Sequence, residues 1–375
     1  MRGDRLRGAL LLLTAFGHVL YPATVLAVGR VRGARTPEPP PVAELPPLSV
    51  VVPAYRESRV IAGKVRNLRE NGYPAPLEVV VVPEDEETEA AARATDAVVV
   101  PFRERTGKAG ALNRGVAACS NAHVVLTDAN ARLSAGGLAR LVSWLGDPRC
   151  RAAGARKQVE GEGAYWRYED WVKRAEMRLG SSIALDGAVV ALRRDEYRPL
   201  PEDVVVDDLW LALDAVEAGG SVVYDAEVLC EEEGFPSIGA DWERRTRIVS
   251  GMLDALWRRR SLMRPTSLPA LQLWGHRAIR NSIGPVSNVA LVASSAVAAR
   301  RSRTARLVLA GHAALAGAAV SSRLRPNPSR PERLAYSVMF LQAVGVGGTL
   351  RFLRGDRPVR WHKQERTGLA SMVDV

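Results

Sequence analysis

Four short β-branched runs set the frame of this chain: Val50–Val52, Val79–Val82, Val98–Val100 and Val124–Leu126. Each is apolar throughout rather than alternating, which is the pattern of a strand buried on both faces of a parallel sheet. Segments with helical spacing stand between them. Arg59–Asn71 carries Val60, Ile61, Val65 and Leu68 on one side and meets Gly72, a stop signal. Glu89–Ala97 is a short alanine-rich helix candidate. Strands alternating with helices predict an α/β sheet from Ser49 to about Gly239. Ligands in such sheets bind outside the carboxyl ends of the strands.

The flanks have another character. Gly8–Gly29 is almost wholly apolar, with His18 as its one ionisable group. A hydrocarbon core takes about 20 helical residues, and the run is long for the apolar core of a cleaved signal. We therefore expect an uncleaved transmembrane or signal-anchor helix within residues 1–35, followed by a proline-rich linker over 36–47. Past the α/β region, Met252–Ile283 mixes Trp257, Leu262, Leu268, Leu271, Leu273 and Trp274 with Arg258–Arg260. That mixture suits helices lying in a membrane interface or packed on the domain surface. Gly284–Ala299, Thr304–Val320 and Leu334–Leu350 are apolar runs with Arg-rich turns between them, read as C-terminal transmembrane helices over 284–350. A basic tail, 351–375, follows.

The net charge is +11. A basic balance can serve a nucleic acid, an anionic membrane surface or an anionic substrate. Arg2, Arg5 and Arg7, then Arg300, Arg301 and Arg303, then Arg351, Arg354, Arg357 and Arg360 all flank apolar runs. This is the placement of membrane anchors, and it excludes a nucleic-acid face. Cys119, Cys150 and Cys230 have no metal-ligand spacing and read as reduced thiols of a cytosolic domain. His18, His123, His276, His312 and His362 show no ligand spacing either.

Candidate chemistry sits where the strands end. Pro53-Ala54-Tyr55-Arg56-Glu57 closes the first strand, and a strand-end turn before a helix N-terminus can seat a nucleotide. Asp85, inside the acidic run Glu84–Glu89, is either a base or ribose contact or part of an acidic helix start. Lys108 lies between Gly107 and Gly110, where a lysine can neutralise phosphate or simply occupy a solvated turn. Asp128 and Asn130 follow an apolar strand one residue apart, and hard divalent cations take such oxygens together with substrate phosphates. Asp207 and Asp208 precede a helix over Leu209–Glu217 and offer either a general base or a cap. Arg244 and Arg247 stand in a basic helix start that could grip a diphosphate or face solvent or membrane.

Taken in order, these motifs resemble the family-2 glycosyltransferases with a GT-A fold, in particular the membrane-bound branch of polysaccharide and glycolipid synthases. The resemblance covers roughly Leu48–Gly251 and the flanking apolar pattern. It implies a GT-A catalytic domain over 48–251. Pro53, Ala54, Tyr55 and Glu57 match the first nucleotide-contacting turn. Asp85 matches the uracil or ribose contact, although the family's Gly and Ser after it are replaced here by Glu86 and Glu87. Lys108 and Asn113 match the Gly-Lys-x-x-Ala-Leu-Asn segment beside the nucleotide. Asp128 and Asn130 match the Asp-x-Asp metal motif, with Asn in its third place. Asp208 matches the general base, and Asp207 stands where Glu is usual. Arg247 matches the arginine of Gln-x-x-Arg-Trp, whose Gln and Trp are missing.

The implied reaction is inverting and dependent on Mg²⁺ or Mn²⁺. It moves a sugar from a nucleotide-diphospho-sugar, UDP-linked first of all, to a lipid or glycan hydroxyl. The lost Gln and Trp favour single or few additions over processive polymerisation. Trp166, Trp171, Trp210 and Trp242 are candidate sugar-stacking surfaces or core residues. A membrane scaffold with a degenerate fold is the reading of another class. The expected setting is a multi-pass cell-membrane protein with its catalytic domain facing the cytoplasm. Arg30, Arg32 and Arg35 favour that side, whereas Arg2, Arg5 and Arg7 favour the opposite one.

Overall fold

The computed structural model describes residues 2–33, 35–159, 164–232 and 237–356. The side chain of Trp166 and the basic tail beyond Asp356, including Arg357, Arg360 and His362, lie outside the description. The chain divides into two compact units. One is Met1–Val31 with Trp242–Arg357, and the other is Arg32–Asp241 with Pro358–Val375.

The first unit opens with α1 (Arg2–Ala15), a π-helical turn over Phe16–Leu20 and α2 (Tyr21–Val31).

The second unit holds the sheet. In chain order it runs β1 (Leu48–Ala54), α3 (Ile61–Arg69), β2 (Leu77–Pro83), α4 (Glu86–Arg93), β3 (Val98–Val99), α5 (Gly107–Ala118) and β4 (His123–Thr127). Then come β5 (Arg132–Leu133), α6 (Gly137–Trp144), β6 (Cys150–Val159), α7 (Ala164–Met177), β7 (Val189–Arg193), α8 (Asp207–Glu217) and β8 (Ser221–Glu232). The strand order is β3-β2-β1-β4-β7-β6-β8-β5. β1, β2, β3 and β4 pair in parallel, as their apolar runs predict. β7 then pairs antiparallel to both β4 and β6, while β6 and β8 are parallel to each other. The sheet is therefore mixed.

That order decides where a ligand can sit. From β1 the chain builds outward through β2 and β3 on one side, and through β4 and β7 on the other. Such a reversal leaves a crevice at the carboxyl ends of β1 and β4. β1 is buried along its whole length, so the strand ends are held firmly. α5 presses on the same strands: a side chain at Gly115 would collide with Val51 and Val82.

The first unit is completed by α9 (Ile238–Arg258), α10 (Leu268–Gln272), a π-helical stretch over Leu273–Ile283, α11 (Gly284–Ala298), α12 (Arg303–Leu324) and α13 (Arg330–Leu353). Small residues let its helices approach closely. Gly284 lies against the Leu13 carbonyl and Gly345 against Pro285. Two helical stretches among the described residues, Gly3–Val31 and Arg303–Leu324, are long and apolar enough to cross a membrane.

Candidate active site

The site is built from the turns that leave β1, β2 and β4, with the start of α8. At the end of β1, Pro53 and Ala54 are buried, and Tyr55 and Arg56 turn outward. Arg56 adopts φ +54°, a left-handed conformation that costs a non-glycine residue about 1 kcal/mol or more. Its N–H donates to Asp85 Oδ2 at 2.6 Å. The next residue, Glu57, is buried, and its N–H donates to Thr88 Oγ1 at 3.0 Å. The Arg105 guanidinium carbon lies 3.8 Å from the Tyr55 ring centroid and that of Arg56 at 5.4 Å. Two guanidinium groups thus border an aromatic face at the strand end, a cationic lip for an anionic ligand.

Asp85 is the N-cap of α4. Its Oδ1 accepts from Thr88 N–H at 2.8 Å and its Oδ2 from Thr88 Oγ1 at 2.8 Å. The helix-start reading of the acidic run is therefore what Asp85 does within the protein, and it also tethers the β1 turn.

Glu84, one residue earlier, was not singled out in the sequence, yet it organises the lysine loop. It is 3% exposed. Its carboxylate accepts from the N–H groups of Thr106 and Gly107 at 2.9 and 2.7 Å and from Thr106 Oγ1 at 3.1 Å. It also pairs with Arg114. The carboxylate at the end of β2 thereby fixes the N-terminus of α5, where Gly107 takes φ +81°.

Lys108 follows directly. Its Nζ lies 2.8 Å from Asp128 Oδ1 and 3.0 Å from Asp207 Oδ2. Residues expected separately at the ends of β4 and at the start of α8 thus meet at one ammonium. Asp128 is held in place by the sheet, with its N–H donating to the Ala188 carbonyl at 3.1 Å. The loop after it is braced from below. Lys64 on α3 is buried and donates to Thr127 Oγ1 at 2.8 Å and to the Ala131 carbonyl at 2.5 Å. Lys64 is a second residue that the sequence left unmarked, because a lysine on an amphipathic helix normally faces solvent.

The charges are distributed unevenly. Two carboxylates, Asp128 and Asp207, share the Lys108 ammonium, and the Asp208 charge lies next to Asp207. Burial acts to raise the Asp128 carboxyl, but Lys108 beside it, with Lys157 and Lys64 farther off, holds it below its ordinary value. Burial and the neighbouring Asp208 and Asp128 charges push Asp207 up to about 6 despite Lys108. Of the adjacent pair, Asp207 is the raised carboxyl.

Asp208 starts α8 with Oδ1 accepting from the Leu209 N–H at 2.8 Å. Beside it stands Gly187, at which an added Cβ would come 3.5 Å from Asp208 Oδ2. Asn113 behaves differently from the others. Its Oδ1 accepts from Tyr197 Oη at 2.7 Å and from Leu200 N–H at 2.8 Å, and its amide donates to the Leu200 carbonyl at 2.8 Å. It ties α5 to the loop that leads into α8.

Arg244 and Arg247 lie on α9 in the helical unit, beyond the boundary of the sheet unit. Trp210 is buried core on α8. Trp171 is half-exposed on α7 beside Tyr168, with ring centroids 6.2 Å apart, and Trp242 packs edge-on against Phe340.

The donor set suits a hard divalent cation that takes most of its ligands from phosphates and water. Asp128 offers a part-exposed carboxylate and Asn130 a neutral oxygen two residues on, with Asp207 near. Among the described residues no group of three or more His, Cys, Asp or Glu forms a closed metal cage.

Comparison with solved structures supports the GT-A fold. A mannosyltransferase from Pyrobaculum calidifontis, in complex with GDP-Man and Mn²⁺, matches with a TM-score of 0.75 at 24% identity. The match covers 94% of this chain and 99% of that one. A weaker likeness is to glucosyl-3-phosphoglycerate synthase from Mycobacterium tuberculosis, in complex with Mn²⁺, UDP and glucosyl-3-phosphoglycerate. It has a TM-score of 0.42 and 20% identity, over 56% of this chain and 80% of that one. No curated protein matches the sequence significantly. The sequence model of the family described as "Glycosyltransferase like family 2" matches residues 46–251. With more than half of its length matched, and the strand-end carboxylates gathered in one crevice, this chain belongs to the family-2 glycosyltransferases.

Proposed function

We propose that the protein transfers a sugar from a nucleotide-diphospho-sugar, UDP-linked in the first reading, to a hydroxyl of a lipid or glycan acceptor at a membrane. Transfer proceeds with inversion and in single or few additions. The observation that carries this reading is the Lys108 ammonium, 2.8 Å from Asp128 and 3.0 Å from Asp207. It joins the expected metal carboxylate to the residue next to the expected base.

In this reading Pro53, Ala54, Tyr55 and Glu57 seat the nucleoside, with Asp85 at its edge and Arg105 beside the Tyr55 face. Asp128 and Asn130 hold a Mg²⁺ or Mn²⁺ ion, which supplies charge neutralisation at the diphosphate. Lys108 adds positive charge for the departing nucleoside diphosphate. Asp207 supports the donor side, and Asn113 acts through the loop before α8. Asp208 takes the proton from the acceptor hydroxyl while that oxygen forms its bond to the anomeric carbon. The bond from that carbon to the diphosphate breaks on the opposite face, which inverts the centre. Asp208 is partly exposed, as a base that meets an acceptor requires.

Membrane placement rests on the helical unit. Val297, Leu307 and Leu324 are 90%, 72% and 79% exposed, a degree of apolar exposure that water does not favour. We assign 1–35 and 284–350 to the bilayer, 252–283 to its interface and 48–251 to catalysis on the cytoplasmic side. A GDP-linked donor is the second reading, favoured by the likeness over nearly the whole chain to the transferase with GDP-Man.

The test is release of nucleoside diphosphate from UDP- and GDP-sugars by membranes carrying the protein. Release from one donor, dependent on Mg²⁺ or Mn²⁺ and abolished by chelator, is the expected result. Release that is indifferent to chelator overturns the metal assignment, and no release with any donor and acceptor extract favours the scaffold reading.

A further inference from the structure

Asp128 is the carboxylate that the metal reading needs, and it already has a cation. Lys108 Nζ contacts its Oδ1 at 2.8 Å and contacts Asp207 Oδ2 at 3.0 Å. The three side chains are between 15% and 31% exposed, so the pairs are partly shielded from water and salt. Glu84 fixes the two peptide N–H groups just before the lysine, those of Thr106 and Gly107, so the backbone is held and only the side chain can turn. One ammonium thus contacts both carboxylates.

We propose that Lys108 is an internal competitor for the divalent cation, an interlock that makes metal binding at Asp128 conditional on the nucleotide. The proposal rests on the reading of Asp128 as a metal ligand. Its physical basis is charge. For Asp128 to ligate a divalent cation, Lys108 must give up that carboxylate, and two positive charges cannot share it cheaply. A nucleoside diphosphate offers the ammonium a new anionic partner. With the diphosphate present, Lys108 loses nothing by turning from Asp128, and the carboxylate becomes available. Binding of the two ligands is then positively coupled, and by linkage the coupling is the same whichever binds first. The consequence is an enzyme that does not hold metal without donor. Without the lysine, Asp128, Asp207 and Asp208 would form an uncompensated acidic group that attracts cations by itself.

The experiment measures Mn²⁺ binding, not turnover. Free Mn²⁺ is followed by electron paramagnetic resonance in titrations of the full-length protein in detergent, without nucleotide and then with UDP or GDP. Wild type is compared with Lys108→Met, Lys108→Arg and Asp128→Asn, each first checked for an unchanged melting transition. The expected result is that Lys108→Met binds Mn²⁺ about tenfold more tightly than wild type in the absence of nucleotide. Lys108→Arg, which keeps the charge, stays close to wild type, and Asp128→Asn loses the binding. Equal or weaker Mn²⁺ binding by Lys108→Met overturns the interlock while leaving Asp128 as a metal ligand. Mn²⁺ binding that survives Asp128→Asn, or its absence from every protein even with nucleotide, overturns the metal reading and the interlock with it.

Discussion

The Arg56 N–H donates a 2.6 Å hydrogen bond to the Asp85 carboxylate, across the gap between the first two strand ends. Arg56 is also the one non-glycine residue with positive φ among the described residues. One carboxylate therefore caps α4 and holds a strained turn at the end of β1. Asp85→Ala removes both functions and is expected to lower unfolding stability by about 1–2 kcal/mol. Asp85→Asn, which still caps, should lose less. Denaturant melts of both variants check this, and nucleotide titration should show weaker binding for Asp85→Ala.

Glu84→Ala should be the more damaging change. It leaves the Thr106 and Gly107 N–H groups and the Arg114 guanidinium without their shared acceptor. The expected loss is roughly 3 kcal/mol, since breaking a buried ion pair from one side leaves an uncompensated charge. Glu84→Gln retains an acceptor oxygen and should recover part of it. If Glu84→Ala melts like wild type, Glu84 does not anchor the lysine loop.

Gly115→Ala tests the seating of α5 on the sheet. The added methyl collides with Val51 and Val82, both inside the strands that carry the site. Overpacking of this kind costs about 1–3 kcal/mol. A neutral effect on the melting midpoint would show that α5 can lift without loss.

Lys64 carries a pH signature. Burial draws its amine down to about 8 from its ordinary 10.5. Below pH 8 both the folded and unfolded chains hold the proton, and the folded chain bears the full cost of a buried charge. Between 8 and 10.5 the unfolded chain binds more protons, so this group's contribution to stability rises with pH. Lys64→Met lacks that dependence. The stability difference between wild type and variant should shift in favour of wild type by roughly 2 kcal/mol between pH 7.5 and 10. A difference that is flat with pH would mean that the amine is not buried in its charged form.

Much of this arrangement could be read from the sequence because it is local. The runs of valine that became β1, β2 and β4 are buried on both faces, so their composition alone marks them. The strand-end positions of Asp85 and Asp128 follow from those runs. The later strands were not legible. β6 and β8 carry charge, and Lys157 on one pairs with Glu232 on the other at 2.7 Å, so neither reads as an apolar run. Glu84 was hidden within an acidic run, where nothing local separates it from Glu86 or Glu87. Only the folded chain, by bringing Thr106 and Arg114 to it, makes it the buried member. Lys64 was concealed in the same way by its place on an amphipathic helix. The raised carboxyl of the Asp207–Asp208 pair depends on Asp128 and Lys108, far away in sequence, so spacing could not choose between the two.

The proposed function divides the labour between two carboxylates, with Asp128 serving the donor and Asp208 the acceptor. Its most direct test is to measure nucleotide-sugar binding and sugar transfer side by side in Asp208→Asn, using the donor identified by the release assay. The account predicts donor binding close to that of wild type and transfer reduced by about 10² to 10⁴, the usual value of general-base assistance. Transfer at the wild-type rate by folded Asp208→Asn would contradict it.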